Sequence, residues 1–345
     1  MRFASDNSGP VHPRVMEALV AANEGWALPY GNDDWTRNAA DKVREVFEAP
    51  DAAVYFTATG TSANVILLST LTQGTQTIFC TPEAHIHVDE CNAPEFYTGG
   101  AKLTLVEAEH GRMLPKALRA EIQTLREGGV HSPQPATLSL TQVTESGTVY
   151  TLSALKSLVD VAKDAGLSVH LDGARFSNAL VALGVTAAEM SWKLGIDAVS
   201  FGGTKNGLMG VEAAVIFDPE KAWEFELRRK RGGHLFSKNR YLGAQFGAYL
   251  TDDLWLEMAR TANRSAARLE QGLAGVAKVT HPRDANMIFA ELSRDRHQRL
   301  NAAGAQYQVF GSLDGVADEP LPCRLVCDWS ITEAQIDRFV EIAQG

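Results

Sequence analysis

Lys205 lies in the stretch SFGGTKNGLMG, between glycine-containing turns and just past the apolar run IDAVSF. The run reads as a buried strand and the glycines as a sharp exit from it. A lysine in so tight a place is either a solvated loop residue, the fate of most lysines, or a desolvated amine with a depressed pKa that forms Schiff bases with carbonyls. Asp172 ends a second apolar run, SVHL, and is followed by Gly173 and Arg175. A buried carboxylate needs a cation or a strong donor; the plain alternative is a surface turn pair with Arg175. In TGTSANVILL, a strand-to-helix turn offers Gly60 for close backbone approach and the hydroxyls of Thr61 and Ser62. The first N–H groups of such a helix hold a phosphate or are merely N-capped. It is not a P-loop, because the lysine of that motif is absent.

HIHVDE brings His85, His87, Asp89 and Glu90 close together in sequence, which invites a metal. The spacing argues against one: residues two apart stand nearly opposite each other on a helix, and no third ligand is indicated nearby. No metal is expected, and His85, just past the apolar TIFC, reads better as a ring lying flat on an aromatic ligand. A phosphate cradle, a strand-end acid and a strand-exit lysine, in that order, are what pyridoxal 5'-phosphate requires: an anchor, an acidic partner for the pyridinium nitrogen and an amine for the Schiff base. Asp172 and Lys205 are thirty-three positions apart, enough for one helix between adjacent strands.

The elements that must position these groups follow a regular pattern. From about residue 50, the β-rich runs AAVYF, TQTIFC, AKLTLVEA, ATLSLTQVT, LSVHLDGARF, IDAVSFGG and VEAAVIF alternate with helical stretches. Several runs are apolar throughout, which predicts an α/β fold with a mostly parallel sheet covered by helices on both faces. In such sheets ligands bind outside the carboxyl ends of the strands, and Gly60, His85, Asp172 and Lys205 all follow strand ends. From about residue 250 the pattern changes to an amphipathic helix, LWLEMARTANRSAARLEQGLAG, then short strands around NMIFAEL and CRLVCDW, and a final helix, TEAQIDRFVEIA. We therefore expect a large domain over residues 1–249 and a small α+β domain over 250–345.

A net charge of −10 over 345 residues is unsuited to nucleic acid or an acidic membrane and favours small-molecule chemistry. No uninterrupted apolar run reaches the roughly 18 residues of a membrane span, and the start has no signal-peptide pattern, so a cytoplasmic protein is expected. Four cysteines, Cys80, Cys91, Cys323 and Cys327, are too few for a disulfide framework and have no zinc spacing; they read as reduced packing residues.

Taken together, ASDNSGPVHP, PYGND, TGTSAN, EAHIHVDE, HLDGARF, SFGGTK and CRLV resemble the L-threonine aldolase family, pyridoxal-phosphate enzymes of the aspartate-aminotransferase-like fold (fold type I). The resemblance covers nearly the whole chain. It implies that Lys205 forms the Schiff base, that His85 stacks on the pyridine ring and that Asp172 pairs with the ring nitrogen. Gly60 and Thr61 would hold the phosphate. Ser5, Arg175 and Arg324 would grip the substrate carboxylate, Arg175 also standing beside the cofactor; a guanidinium fork suits that task better than an ammonium. Tyr30 matches a tyrosine that reaches into a neighbouring subunit's site, implying a dimer as the minimum active unit and often a homotetramer.

Two stretches depart from the family pattern. Where many relatives read E-N-T-H-N-G this chain has QVTESG, so Glu145 replaces the histidine that contacts the substrate's β-hydroxyl; the role passes to His131, to His85 through a water, or to Glu145 itself. Near GHLFSKNR relatives place an arginine on the phosphate, and Lys238 is the candidate here. The implied activity is retro-aldol cleavage of L-threonine, L-allo-threonine and related β-hydroxy-α-amino acids to glycine and an aldehyde. A preference for phenylserine, or β-elimination, transamination or hydroxymethyl transfer on the same fold, are the nearest alternatives. A pyridoxal-phosphate-binding module without catalysis is a further one, and a nicotinamide dehydrogenase would need a G-x-G-x-x-G fingerprint that is absent.

Overall fold

A computed structural model describes all 345 residues. Seven strands, β1 (Ala53–Thr57), β2 (Gln76–Cys80), β3 (Lys102–Leu105), β4 (Gln134–Thr141), β5 (Ser168–Gly173), β6 (Ala198–Gly202) and β7 (Glu212–Ile216), form one sheet in the order β1-β7-β6-β5-β4-β2-β3. From β6 to β3 every neighbour is parallel, whereas β7 runs against both β6 and β1. Every residue of β6 and β7 is buried, as two helical layers require, and this is why their sequences are apolar without alternation.

One face packs an aromatic cluster in which Phe201 meets Phe176, Phe246, Phe47 and Trp255 at ring distances of 5.2–5.6 Å. On the other face Ala198 and Ala214 admit the helix Gly60–Leu71, whose Val65, Ile66 and Leu67 pack with them and with Ile216 and Phe225. That helix is buried from Ser62 to Ser69, so its axis is fixed beneath the sheet and its N-terminus is fixed at the ligand edge.

The C-terminal part carries an antiparallel sheet of β8 (Lys278–Val279), β9 (Met287–Ser293), β10 (Gln308–Val309) and β11 (Pro320–Val326), ordered β8-β9-β11-β10. The division expected at residue 250 is crossed in both directions. Leu254, Trp255 and Met258 belong to the large core, and Phe3 belongs to the small one, edge-on to Phe339 at 5.1 Å. The Phe3 N–H donates to the Gln306 carbonyl at 2.7 Å, and its carbonyl accepts from the Val326 N–H at 2.8 Å. The first residues are thereby stitched to the small sheet. No helix is long and apolar enough to cross a membrane, and all four cysteines are unpaired.

Candidate active site

The sequence-predicted groups converge on a cleft of about 270 Å³ at the carboxyl ends of the strands, lined by Gly60, Thr61, His85, Glu145, Asp172, Arg175 and Lys205. Lys205 sits in a single 3-10 turn, Thr204–Asn206, directly after β6. The glycines around it answer to close approaches: a Cβ on Gly202 would stand 2.5 Å from the Ala174 carbonyl oxygen, and one on Gly203 would stand 2.7 Å from that of Val211. Gly207, at φ +92°, adopts a backbone that other residues avoid. Burial lowers the Lys205 pKa and the Arg175 guanidinium lowers it further, against the pull of Asp6, Asp172 and Glu212. Its amine is thus shifted toward the neutral, nucleophilic form.

Asp172 is buried at the end of β5. Its Oδ1 accepts the Ala174 N–H at 3.0 Å and its Oδ2 accepts from Asn64 Nδ2 at 2.7 Å. The alternative pairing with Arg175 is not made. Arg175 turns instead to Asp6, donating from Nε to Oδ2 at 2.6 Å and from Nη2 to Oδ1 at 2.9 Å, while Asn286 Nδ2 donates to the same carboxylate at 3.1 Å. Burial works against the Asp6 charge, but Arg175 and Lys205 hold its carboxyl below the usual range.

Asn64 is a hub that the sequence reading assigned no task. Besides Asp172 it donates to Glu90 Oε1 at 3.0 Å, and its Oδ1 accepts from the Ser200 hydroxyl at 2.7 Å. His170 bridges Ser200 and Ser139, each at 3.0 Å, and burial drives its pKa down to about 4, so it stays neutral. His85 opens the short helix His85–Val88. Its Nδ1 lies 2.8 Å from Glu90 Oε1, and that hydrogen bond raises its pKa against the effect of burial. Glu90 thus serves to orient His85.

Glu145 follows β4 in a loop braced from outside: the Thr148 hydroxyl donates to the His110 carbonyl at 2.7 Å, and Asp284 Oδ2 accepts the Val149 N–H at 2.9 Å. Glu145 Oε1 accepts the His85 N–H and the Thr141 hydroxyl, both at 2.8 Å. Its Oε2 is buried without a partner. Burial pushes its pKa up to about 7, placing a proton acceptor on the cleft wall.

Other expected residues lie elsewhere. His131 is exposed in the turn Gly129–His131 that precedes β4; eight residues of strand, about 26 Å, separate it from the cleft of its own chain. Ser5 does not line the cleft: its hydroxyl accepts the Asn7 N–H at 3.1 Å and it faces a separate surface hollow with Ser8 and Asp328. From this segment Asn7 lines the cleft and Asp6 holds Arg175. Arg324, on β11, donates from Nη2 to the Ala4 carbonyl at 3.2 Å and keeps a buried Nε without an acceptor. Burial lowers its pKa, and the charge of Arg175 adds to this.

Tyr30 is exposed at φ 62°, with its N–H on the Ser237 carbonyl at 2.9 Å and Lys230 Nζ 5.2 Å from its ring centroid. Lys238, the residue after Ser237, is exposed as well. Neither reaches the cleft of its own chain, so Lys238 does not complete the phosphate site there.

Gly60 and Thr61 open the helix Gly60–Leu71, capped by the Thr59 side chain on the Ser62 N–H. The cap and the anion-binding reading coexist, because the N–H groups of Gly60 and Thr61 have no intrahelical partner. A Cβ on Gly60 would meet nothing within 4 Å, so open space lies before these donors.

Residues 2–295 match the beta-eliminating lyase family. The chain is 40% identical to the low specificity L-threonine aldolase of Pseudomonas aeruginosa, over 99% of this chain and 96% of that protein. It is 39% identical to the enzyme of that name from a Pseudomonas species, over 97% and 94%. A threonine aldolase structure from Leishmania major superposes with a TM-score of 0.93 at 28% identity, covering 99% of this chain and 98% of that one. At 15% identity, a serine palmitoyltransferase from Sphingomonas wittichii shares the fold with a TM-score of 0.72. Likeness that extends from one end of the sequence to the other, and not over the cleft alone, makes this chain a lyase of the beta-eliminating lyase family, among the threonine aldolases.

Proposed function

We propose that the protein cleaves L-threonine, L-allo-threonine and related β-hydroxy-α-amino acids to glycine and an aldehyde, with pyridoxal 5'-phosphate held in the cleft. The observation that carries this reading is the pairing of Lys205 and Asp172, brought by neighbouring strands to one edge of the sheet beside a helix N-terminus. The residues fit the cofactor. Asp172 is a buried carboxylate hydrogen-bonded only by uncharged donors, and the space before Gly60 is open. When bound, the cofactor supplies a sink for the electron pair left on Cα as the Cα–Cβ bond breaks.

The rest falls to the chain. Gly60 and Thr61 N–H groups would hold the phosphate. Asp172, with one oxygen fixed by Asn64, would keep a proton on the ring nitrogen, and His85, steadied by Glu90, would flank the ring. Lys205 Nζ supplies the amine. Arg175, positioned by Asp6, takes the substrate carboxylate and so selects which bond breaks; Arg324, near enough for the charge of Arg175 to act on it, adds to that grip from β11. Glu145 Oε2 accepts the β-hydroxyl proton, and the O–H electron pair becomes part of the aldehyde carbonyl.

The minimum active unit is a dimer, assembled further to a homotetramer; exposed Trp26, Leu28, Tyr30 and Phe236 support this, and light scattering of the purified protein tests it. Unpaired cysteines suit the reducing cytoplasm, and the acidic net charge disfavours nucleic-acid and membrane partners. The deciding assay of function adds L-threonine to purified protein and measures acetaldehyde and glycine. Pyruvate, a keto acid or a folate requirement in their place would assign a different reaction.

A further inference from the structure

Glu212 is a carboxyl group with no task in that scheme. It begins β7, the strand that runs against its neighbours, and therefore stands at the ligand edge opposite Gly202 of β6 and Thr57 of β1. Along β7, Ala213 and Val215 enter the core around Phe201, while Ala214 and Ile216 pack with Val65, Ile66 and Leu67 of the helix Gly60–Leu71. By strand alternation Glu212 shares the second face. Its side chain thus lies on the side of the sheet where that helix begins, and it lines the cleft together with Thr59, Gly60 and Thr61. It is buried, and its Oε2 accepts the Gly203 N–H at 2.6 Å. A carboxylate here faces whatever anion those helix N–H groups hold.

We infer that Glu212 takes up a proton when the cofactor's phosphate enters the cleft, so that capture of the cofactor is coupled to pH through this carboxyl. The inference rests on the cofactor reading above. Two anions in one desolvated site raise each other's pKa. Burial alone has already pushed Glu212 up to about 7, against hydrogen bonds from Thr204 and Gly203 and the charge of Lys205. Around the same cleft stand His85 on its short helix, Glu145 after β4, Asp172 on β5 and Arg175 after it, with Asp6 on Arg175; of the charged groups, that of Lys205 lowers the Glu212 pKa, and Glu212 in turn raises that of the buried Tyr249 hydroxyl. Below pH 7 the carboxyl is neutral before binding and no proton moves. Above pH 7 binding must draw one in, so affinity falls as pH rises.

Calorimetric titration of the full chain without cofactor, at pH 8 and in two buffers of different ionisation heat, counts the protons. Inorganic phosphate and pyridoxal 5'-phosphate serve as separate ligands. The wild type should take up about one proton more than Glu212→Gln. Phosphate should bind Glu212→Gln about tenfold more tightly than wild type at pH 8, and equally at pH 6. Glutamine keeps an acceptor for the Gly203 N–H. Should that variant not fold, Lys205→Ala decides when uptake is followed from pH 7 to pH 9, because losing the lysine's charge moves the carboxyl up: uptake retained within that range supports Glu212, and uptake lost throughout it assigns the proton to the lysine and overturns the inference. Equal proton counts in wild type and Glu212→Gln overturn it too. Failure of wild type to bind pyridoxal 5'-phosphate overturns the cofactor reading with it, whereas binding without any difference between the two proteins overturns this inference alone.

Discussion

Glu145 and Glu212 are both buried carboxyls on the wall of one cleft, and burial pushes both up to about 7. Their surroundings differ. Glu145 leaves one oxygen without a partner, whereas Glu212 is tied to the turn that carries Lys205. Desolvation sets the pKa of each; the partners decide whether the proton is exchanged with a reacting group or with a bound anion. The two titrations also act with opposite sign. On the proposed reading, ionisation of Glu145 above pH 7 creates a base and raises the rate, while ionisation of Glu212 over the same range opposes phosphate.

The most severe way to break the comparison is Lys205→Ala, which removes the amine that shares the cleft with both carboxyls. Turnover of L-threonine should fall by about a thousandfold or more, read as acetaldehyde released, and a variant that kept full activity would sink the mechanism. Glu145→Gln keeps the size of the side chain but not the base. It should lower kcat by roughly a hundredfold or more and abolish the rise in kcat through pH 7 that is expected of wild type; an unchanged pH profile would remove Glu145 from the chemistry.

Asp6→Asn tests a carboxylate of the contrasting kind, held ionised by Arg175. Loss of the buried pair should cost about 3 kcal/mol in a denaturant titration and raise KM more than it lowers kcat, since Arg175 loses its anchor. In wild type the depressed Asp6 pKa gives stability that is present above the ordinary carboxylate value and lost as pH falls through the folded one; Asp6→Asn should flatten that acid limb. The smallest change expected is at His131→Ala, on the far side of the sheet, with stability within about 0.5 kcal/mol of wild type and the same kcat. A substantial loss of activity there would contradict the placement of the cleft.

Lys205, Asp172, Gly60, Thr61 and His85 were legible because each follows an apolar run, and the carboxyl ends of parallel strands share one edge. That same rule hid Glu212. VEAAVIF reads as one more buried strand, but because it runs the other way its beginning, not its end, lies at the ligand edge. Asn64 was missed because a polar residue within a buried helix carries no spacing signal; its task depends on Asp172, Glu90 and Ser200, which are remote in sequence. Ser5 and Asp6 are neighbours in the chain, yet only one of them meets Arg175, a difference set by backbone direction that a motif does not record. His131 failed for a simpler reason: it precedes β4, and the length of that strand carries it away from the chemistry.

The pairing of Phe3 with Gln306 and Val326 fixes the segment whose Asp6 holds Arg175. Trimming residues 1–7 would leave Lys205, Asp172 and the Gly60 helix where they are, but would release Arg175 from Asp6 and Arg324 from the Ala4 carbonyl. On the proposed reading, such a shortened enzyme would still recognise its coenzyme while losing its grip on the amino acid, so that the two affinities could be separated by a cut far in sequence from both Lys205 and Asp172.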